Sequence, residues 1–100
     1  MYCDDIMDVE NSAKRALLVF SIEKVLMKMG QPEYDLVVAR LKNEYDCFLV
    51  NCVENPQYLK RILEDVYGNA YDDILREIRK EFGEFASQRY YSDFLVAMSR

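Results

Sequence analysis

ENPQYLKRILEDVYGNAYDDILREIRKEFGEF, residues 54–85, is the stretch whose reading decides the fold. It opens on Asn55-Pro56, an N-cap residue followed by proline at the first helical position, where a missing N–H is no loss. Leu59, Ile62, Leu63, Val66 and Tyr67 then recur in steps of three and four, the period of one helix face. Gly68 closes that run. Asn69 is placed to cap a second helix, whose stripe is Tyr71, Ile74, Leu75, Ile78, Phe82 and Phe85. Gly83 sits inside this stripe and ends or loosens the helix. Two amphipathic helices in succession, joined without a strand signal, predict an all-α domain.

The same punctuation extends outward in both directions. Downstream, Ser87 is the expected cap of a short last helix with Tyr91, Phe94, Leu95 and Met98 on one side. Upstream, Gly30 and Pro32 separate two further helices, one over residues 12–29 and one over residues 32–45. The latter carries Tyr34, Val37, Val38, Leu41 and Tyr45 inward. The former begins either near Asp4 or at Ser12, after an acidic segment over residues 1–11. Residues 46–55 are ambiguous: Cys47-Phe48-Leu49-Val50 fits a buried loop, a single helical turn or a short strand. A lone strand has no partner here, so a buried connection is expected. The prediction is one compact bundle of four to five helices spanning residues 1–100, with a long first helix.

That first helix has apolar residues on two sides. At 100° per residue, Leu18, Ile22, Val25, Leu26 and Met29 share one face. Ala13, Leu17, Phe20 and Met27, flanked by Ala16, share another that runs back through Val9 and Ile6. Both advance in the steps of packed helices, and Lys24 interrupts the second. Such a helix is either central in its own fold or shared with a partner. The second alternative names Ile6, Val9, Ala13, Leu17 and Phe20 as a homodimer interface.

Composition narrows the function classes. The net charge is −5 and the pI near 4.7, which disfavours a phosphate-backbone partner unless the basic residues cluster apart. Arg76, Arg79 and Lys80 form the densest basic group, but Asp72, Asp73, Glu77 and Glu81 share their helix. Those carboxylates in turn read as a solvated face, with Asp72–Arg76 and Glu77–Lys80 at helix-pair spacing. Acid–base catalysis by paired carboxylates needs environments that drive their pKa values apart. Histidine is absent, removing the commonest general base and metal ligand. Cys3, Cys47 and Cys52 are too few for a zinc site and, in a chain without a basic, apolar leader, are expected as reduced thiols. No phosphate-cradling GxxxxGK[ST] or GxGxxG motif and no GxSxG nucleophile motif occurs. No apolar run approaches the ~20 residues of a membrane span. The eight tyrosines fall mostly on core stripes, while Tyr90-Tyr91 fits either the core or an exposed binding patch. The expectation is a cytoplasmic, non-enzymatic protein without metal or cofactor.

Residues 54–85 also resemble the C-terminal half of the NitrOD5-like helical output domains of thaumarchaea, which show a Pro-started helix, an aromatic-Gly turn and an aliphatic helix. FSIEKVLMKMGQPEYDLVVARLKNEY, residues 20–45, resembles the preceding helix pair of that group, so the likeness covers about residues 16–85. It implies an archaeal signalling or regulatory module that works through protein contacts, and it carries no catalytic or ligand residues. The function expected is a helical protein–protein interaction and regulatory module, homodimeric through the first helix. The alternatives are a DNA-associated transcriptional regulator, suggested by the two helices joined at Gly68, and a small-ligand carrier or metal-free enzyme.

Overall fold

A computed structural model describes the backbone of residues 2–52 and 54–99 and the side chains of residues 12–51 and 54–99. Among the described residues six α-helices follow one another: α1 (Tyr2–Met29), α2 (Gln31–Tyr45), α3 (Leu49–Cys52), α4 (Pro56–Tyr67), α5 (Tyr71–Phe82) and α6 (Arg89–Ser99). Short 3-10 turns, Gly68–Ala70 and Gly83–Ser87, precede α5 and α6. The described residues contain no strand, and the all-α bundle is as the sequence predicts.

The five longer helices close a ring. α1 packs on α2, α2 on α4, α4 on α6, α6 on α5, and α5 back on α1, with the single turn of α3 wedged against α1 and α4. Each helix therefore has an inner face and two flanks, and no helix is central. This corrects the reading of α1 as a central helix surrounded by the others. Inside the ring stand Leu18, Ile22, Val25 and Leu26 of α1, Val37 and Leu41 of α2, and Leu59, Ile62 and Leu63 of α4. Ile74, Ile78 and Phe82 of α5, with Tyr91, Phe94, Leu95 and Met98 of α6, complete it. Burying each large aliphatic or aromatic side chain contributes about 1.5–3 kcal/mol before chain entropy is set against it. Met29, placed inward by the wheel, is exposed instead, because it is the last residue before the chain breaks from α1. Phe85 is also exposed: it lies beyond the end of α5, in the 3-10 turn that follows Gly83.

Several boundaries differ from the capping signals. α1 runs without interruption from Tyr2, so Ser12 is an interior position and caps nothing. Asn55 does precede α4 and Pro56 does open it, but the Asn55 side chain makes no capping bond; its carbonyl instead accepts from the Tyr58 amide at 3.0 Å. Asn69 lies within a 3-10 turn, and Ala70 occupies the cap position of α5. Ser87 donates back to the Glu84 carbonyl at 3.0 Å, leaving Gln88 to accept from the Ser92 amide at the start of α6. In each case backbone continuity through a tight turn satisfies groups that a side chain otherwise would.

Of residues 46–55, the described ones form a turn and one helical turn, Leu49–Cys52, rather than a wholly buried connection. Asp46 ends α2 in the left-handed region, at φ 50° and ψ 49°, which aspartate tolerates better than most residues. Its amide donates to the Lys42 carbonyl at 3.1 Å, the Cys47 amide donates to the Leu41 carbonyl at 3.2 Å, and the Asp46 carboxylate accepts from Lys42 Nζ at 2.8 Å. That ammonium holds the Asp46 carboxyl below its ordinary pKa. The turn sends Cys47 and Leu49 inward and leaves Phe48 and Val50 exposed. Lys42 lies 4.9 Å above the Phe48 ring, a cation–π contact.

Polar contacts between helices are few and local. The Tyr34 hydroxyl donates to Glu23 at 2.9 Å, linking α2 to α1, and the Tyr71 hydroxyl donates to the Met98 carbonyl at 2.6 Å, tying α5 to the end of α6. Burial raises both phenols; that of Tyr34 is pushed up to about 12, with the Glu23 carboxylate adding to the effect. A raised folded-state pKa confers stability that is complete below the unfolded value near 10 and lost as pH rises above it. Thermal unfolding followed from pH 8 to 12 should therefore show stability declining above pH 10. Tyr71→Phe should lose about 1 kcal/mol at neutral pH and show a shallower alkaline decline. An unchanged alkaline slope in that variant would assign the decline elsewhere.

Candidate interaction face

The ring leaves the outer side of α1 uncovered. Its buried positions run from Leu18 to Leu26 on the side facing α2 and α5. Opposite them on the wheel lie Ala13, Ala16, Phe20 and Met27, all exposed. Phe20 is 61% exposed and Met27 45%. From Ala13 to Met27 the stripe extends for about 21 Å at 1.5 Å per residue. Leu17 borders it, partly buried against the core. Of the five residues named for a dimer interface, Ala13 and Phe20 thus stand on the open face and Leu17 on its edge. The side chains of Ile6 and Val9 lie outside the described residues. Ala16 and Met27 belong to the face although the interface named from the sequence omitted them.

Ion pairs border this face. Lys24 pairs with Glu81 at 3.2 Å and Lys28 with Glu77 at 3.9 Å, fastening α1 to an antiparallel α5. Arg15 pairs with Glu54 at 3.4 Å. Each pair has at least one well-exposed member and lies at the surface, so it contributes little stability and mainly sets where charge lies. The other exposed large apolar side chains among the described residues, Met29, Leu36, Phe48, Val50, Phe85 and Val96, are scattered over the end of α1, α2, the start of α3 and the residue before it, the 3-10 turn Gly83–Ser87 and α6. Single exposures of that kind are ordinary on a folded surface.

The remaining sequence candidates take different forms. Asp73 pairs with Arg76 at 3.0 Å, so Arg76 is held three residues away and not by Asp72 at four. Glu77 also forms an ion pair with Lys80 at 3.6 Å, as the spacing predicts. Asp73, Arg76, Glu77, Lys80 and Glu81 of α5 are thus paired with one another or with the lysines of α1. Arg79 makes no ion pair among the described residues. It borders an open cleft of about 480 Å³ between α5 and α6, together with Leu75, Arg76, Ser92, Leu95 and Val96. The Asp72 carboxylate at this cleft is exposed. Among the described residues no group of three or more His, Cys, Asp or Glu could hold a metal ion, and no helix is long and apolar enough to cross a membrane.

Cys47 departs from expectation: it is disulfide-bonded, which corrects the reading of three reduced thiols. That reading reasoned from compartment, whereas a disulfide requires a second cysteine brought to a Cα separation of about 5.5–6 Å. The buried Cys47 sulfur lies 3.3 Å from the Phe48 carbonyl oxygen, a contact without a proton to share. Tyr91 is in the core and Tyr90 packs edge-on against it, with ring centroids 5.2 Å apart, which answers the alternatives left open for that pair. The Tyr67 hydroxyl is buried without a hydrogen-bond partner among the described residues, and burial raises its pKa.

Compared with known proteins, the chain matches no family model, no curated protein and no solved structure.

Proposed function

We propose that this protein is a non-enzymatic helical interaction module that self-associates through the outer face of α1. The observation that carries the reading is Phe20, 61% exposed in mid-helix, which shares the side away from the core with Ala13, Ala16 and, beyond Lys24, Met27. A large aromatic in that position gains about 1.5–3 kcal/mol when covered. A symmetric pair covers it twice. The signalling or regulatory role implied by the resemblance to NitrOD5-like output domains belongs to the same proposal, because a module of that kind communicates by a change in protein contacts.

Light scattering coupled to size exclusion tests the reading. The wild type should be dimeric at micromolar concentration. Phe20→Glu should weaken the dimer by about 100-fold or more while keeping its helical circular dichroism. A wild type that remains monomeric at that concentration overturns the proposal. So does a Phe20→Glu variant that dimerises as the wild type does.

A further inference from the structure

We infer that the cleft between α5 and α6 binds a small zwitterion with an apolar middle, its anionic end at Arg79 and its cationic end at Asp72. Self-association through α1 is not required for it. Of the charged residues of α5, Asp73, Arg76, Glu77, Lys80 and Glu81 are held in ion pairs within the helix or with α1. Asp72 and Arg79 make no ion pair among the described residues, and both line the cleft. With Leu75 and Arg76 they share one side of α5, in steps of three and four. The two unpaired charges are opposite in sign and stand two turns apart, about 10 Å along the helix axis. Asp72 also sits in the first turn of α5, where the helix amides favour its ionised form.

The facing wall is α6. It runs antiparallel to α5, because Tyr91 meets Phe82 at one end and the Met98 carbonyl meets the Tyr71 hydroxyl at the other. That order sets Ser92 level with Arg79 and Ser99 level with Asp72, with Leu95 and Val96 between them. Leu75, Leu95 and Val96 thus form an apolar strip between two polar ends. The Ser92 hydroxyl is half-buried and makes no hydrogen bond among the described residues, so it can donate to an anionic head beside Arg79. The Ser99 hydroxyl already donates to the Leu95 carbonyl at 2.7 Å, so toward a ligand it can only accept, which suits a cation. Arg76 lines the cleft as well, but Asp73 neutralises it. A zwitterion of matching span meets both ends, whereas a simple anion or cation meets one and finds its own sign at the other. The cleft volume of about 480 Å³ suits a small ligand. Three residues of extended chain reach about 10 Å, so an apolar tripeptide with free termini has the required span.

Titration of the isotope-labelled protein with the tripeptide Ala-Leu-Ala, followed through its backbone amide NMR signals, tests the site. The free peptide should shift the amides of residues 72–79 and 92–99, with a dissociation constant in the millimolar range. Amidating the peptide's C-terminus or acetylating its N-terminus should each weaken binding about 5-fold. Arg79→Gln should weaken the free peptide by the same factor and leave the amidated one unchanged. Asp72→Asn should do likewise for the free and the acetylated peptides. Both positions are exposed, and melting curves check that each variant stays folded. No shift at the cleft with about 10 mM peptide, or equal binding of the free and both blocked forms, overturns the proposal. So does an Arg79→Gln variant that weakens the free and the amidated peptides alike, because the arginine then does not meet the carboxylate. Weakening by amidation alone makes the cleft a simple anion site and overturns the zwitterionic assignment.

Discussion

Phe82→Ala is expected to lower the unfolding free energy by about 3–5 kcal/mol, a large part of the ~5–15 kcal/mol that holds a domain of this size together. Phe82 is 1% exposed and closes the C-terminal end of α5. Its ring lies 5.1 Å from that of Tyr91 at an interplanar angle of 50°, so it is the aromatic contact through which α6 packs onto α5. Removing the ring leaves a cavity that the surrounding helices fill only in part, because Gly83 turns the chain immediately after it and fixes where α6 begins. Urea unfolding followed by circular dichroism should show a lower midpoint with an unchanged slope. A loss below about 1 kcal/mol would mean that the ring is replaceable by its neighbours and that Tyr91 anchors α6 by itself.

The helices that this substitution tests were legible for a simple reason. In α4 and α5 the apolar residues occupy one side only, and Pro56, Gly68 and Gly83 mark their ends through backbone constraints that act without a tertiary partner. Caps were less legible. Asn55, Asn69 and Ser87 have the chemistry of N-caps, but the backbone turns around them satisfy the same amides, and a sequence pattern does not separate the two solutions. α2 ends at Tyr45 as the sequence predicts, but the device that ends it carries no sequence signal. A left-handed aspartate at position 46 performs the turn that a glycine signals elsewhere, and it relies on Lys42 one turn back. The disulfide at Cys47 depends on proximity in space, about which the spacing of three cysteines is silent.

The candidate face shows both the reach and the limit of a helical wheel. The wheel separates two apolar sides of α1, and the structure finds one covered by α2 and α5 and the other open. It does not decide the border residues. Leu17 and Ala16 stand on either edge of the outer stripe, and only the positions of α2 and α5 make the leucine half-buried and the alanine exposed. Nor does it reveal that α1 is one member of a ring. Apolar residues on two sides suit a central helix equally well, and the closure of α4 onto α6 and α6 onto α5 settles the matter through long-range packing.

Ile22→Glu is the sharpest test of that division, because it lies two residues from Phe20 on the same helix. Ile22 is fully buried among the core residues of α1, α2 and α5. A glutamate there loses the packing of a large aliphatic side chain and must either ionise in an apolar interior or take up a proton. Together these effects should cost more than about 4 kcal/mol and leave much of the protein unfolded. Phe20→Glu, in contrast, places its carboxylate in water and should change monomer stability by no more than about 0.5 kcal/mol. Thermal melts of both variants at a concentration low enough to keep the wild type monomeric would separate the two effects. A Phe20→Glu variant as unstable as Ile22→Glu would show that the outer side of α1 is covered by the chain itself, leaving no face for a second copy. Intact folding of Phe20→Glu beside collapse of Ile22→Glu would show that one face of α1 builds the bundle while the other is free to associate.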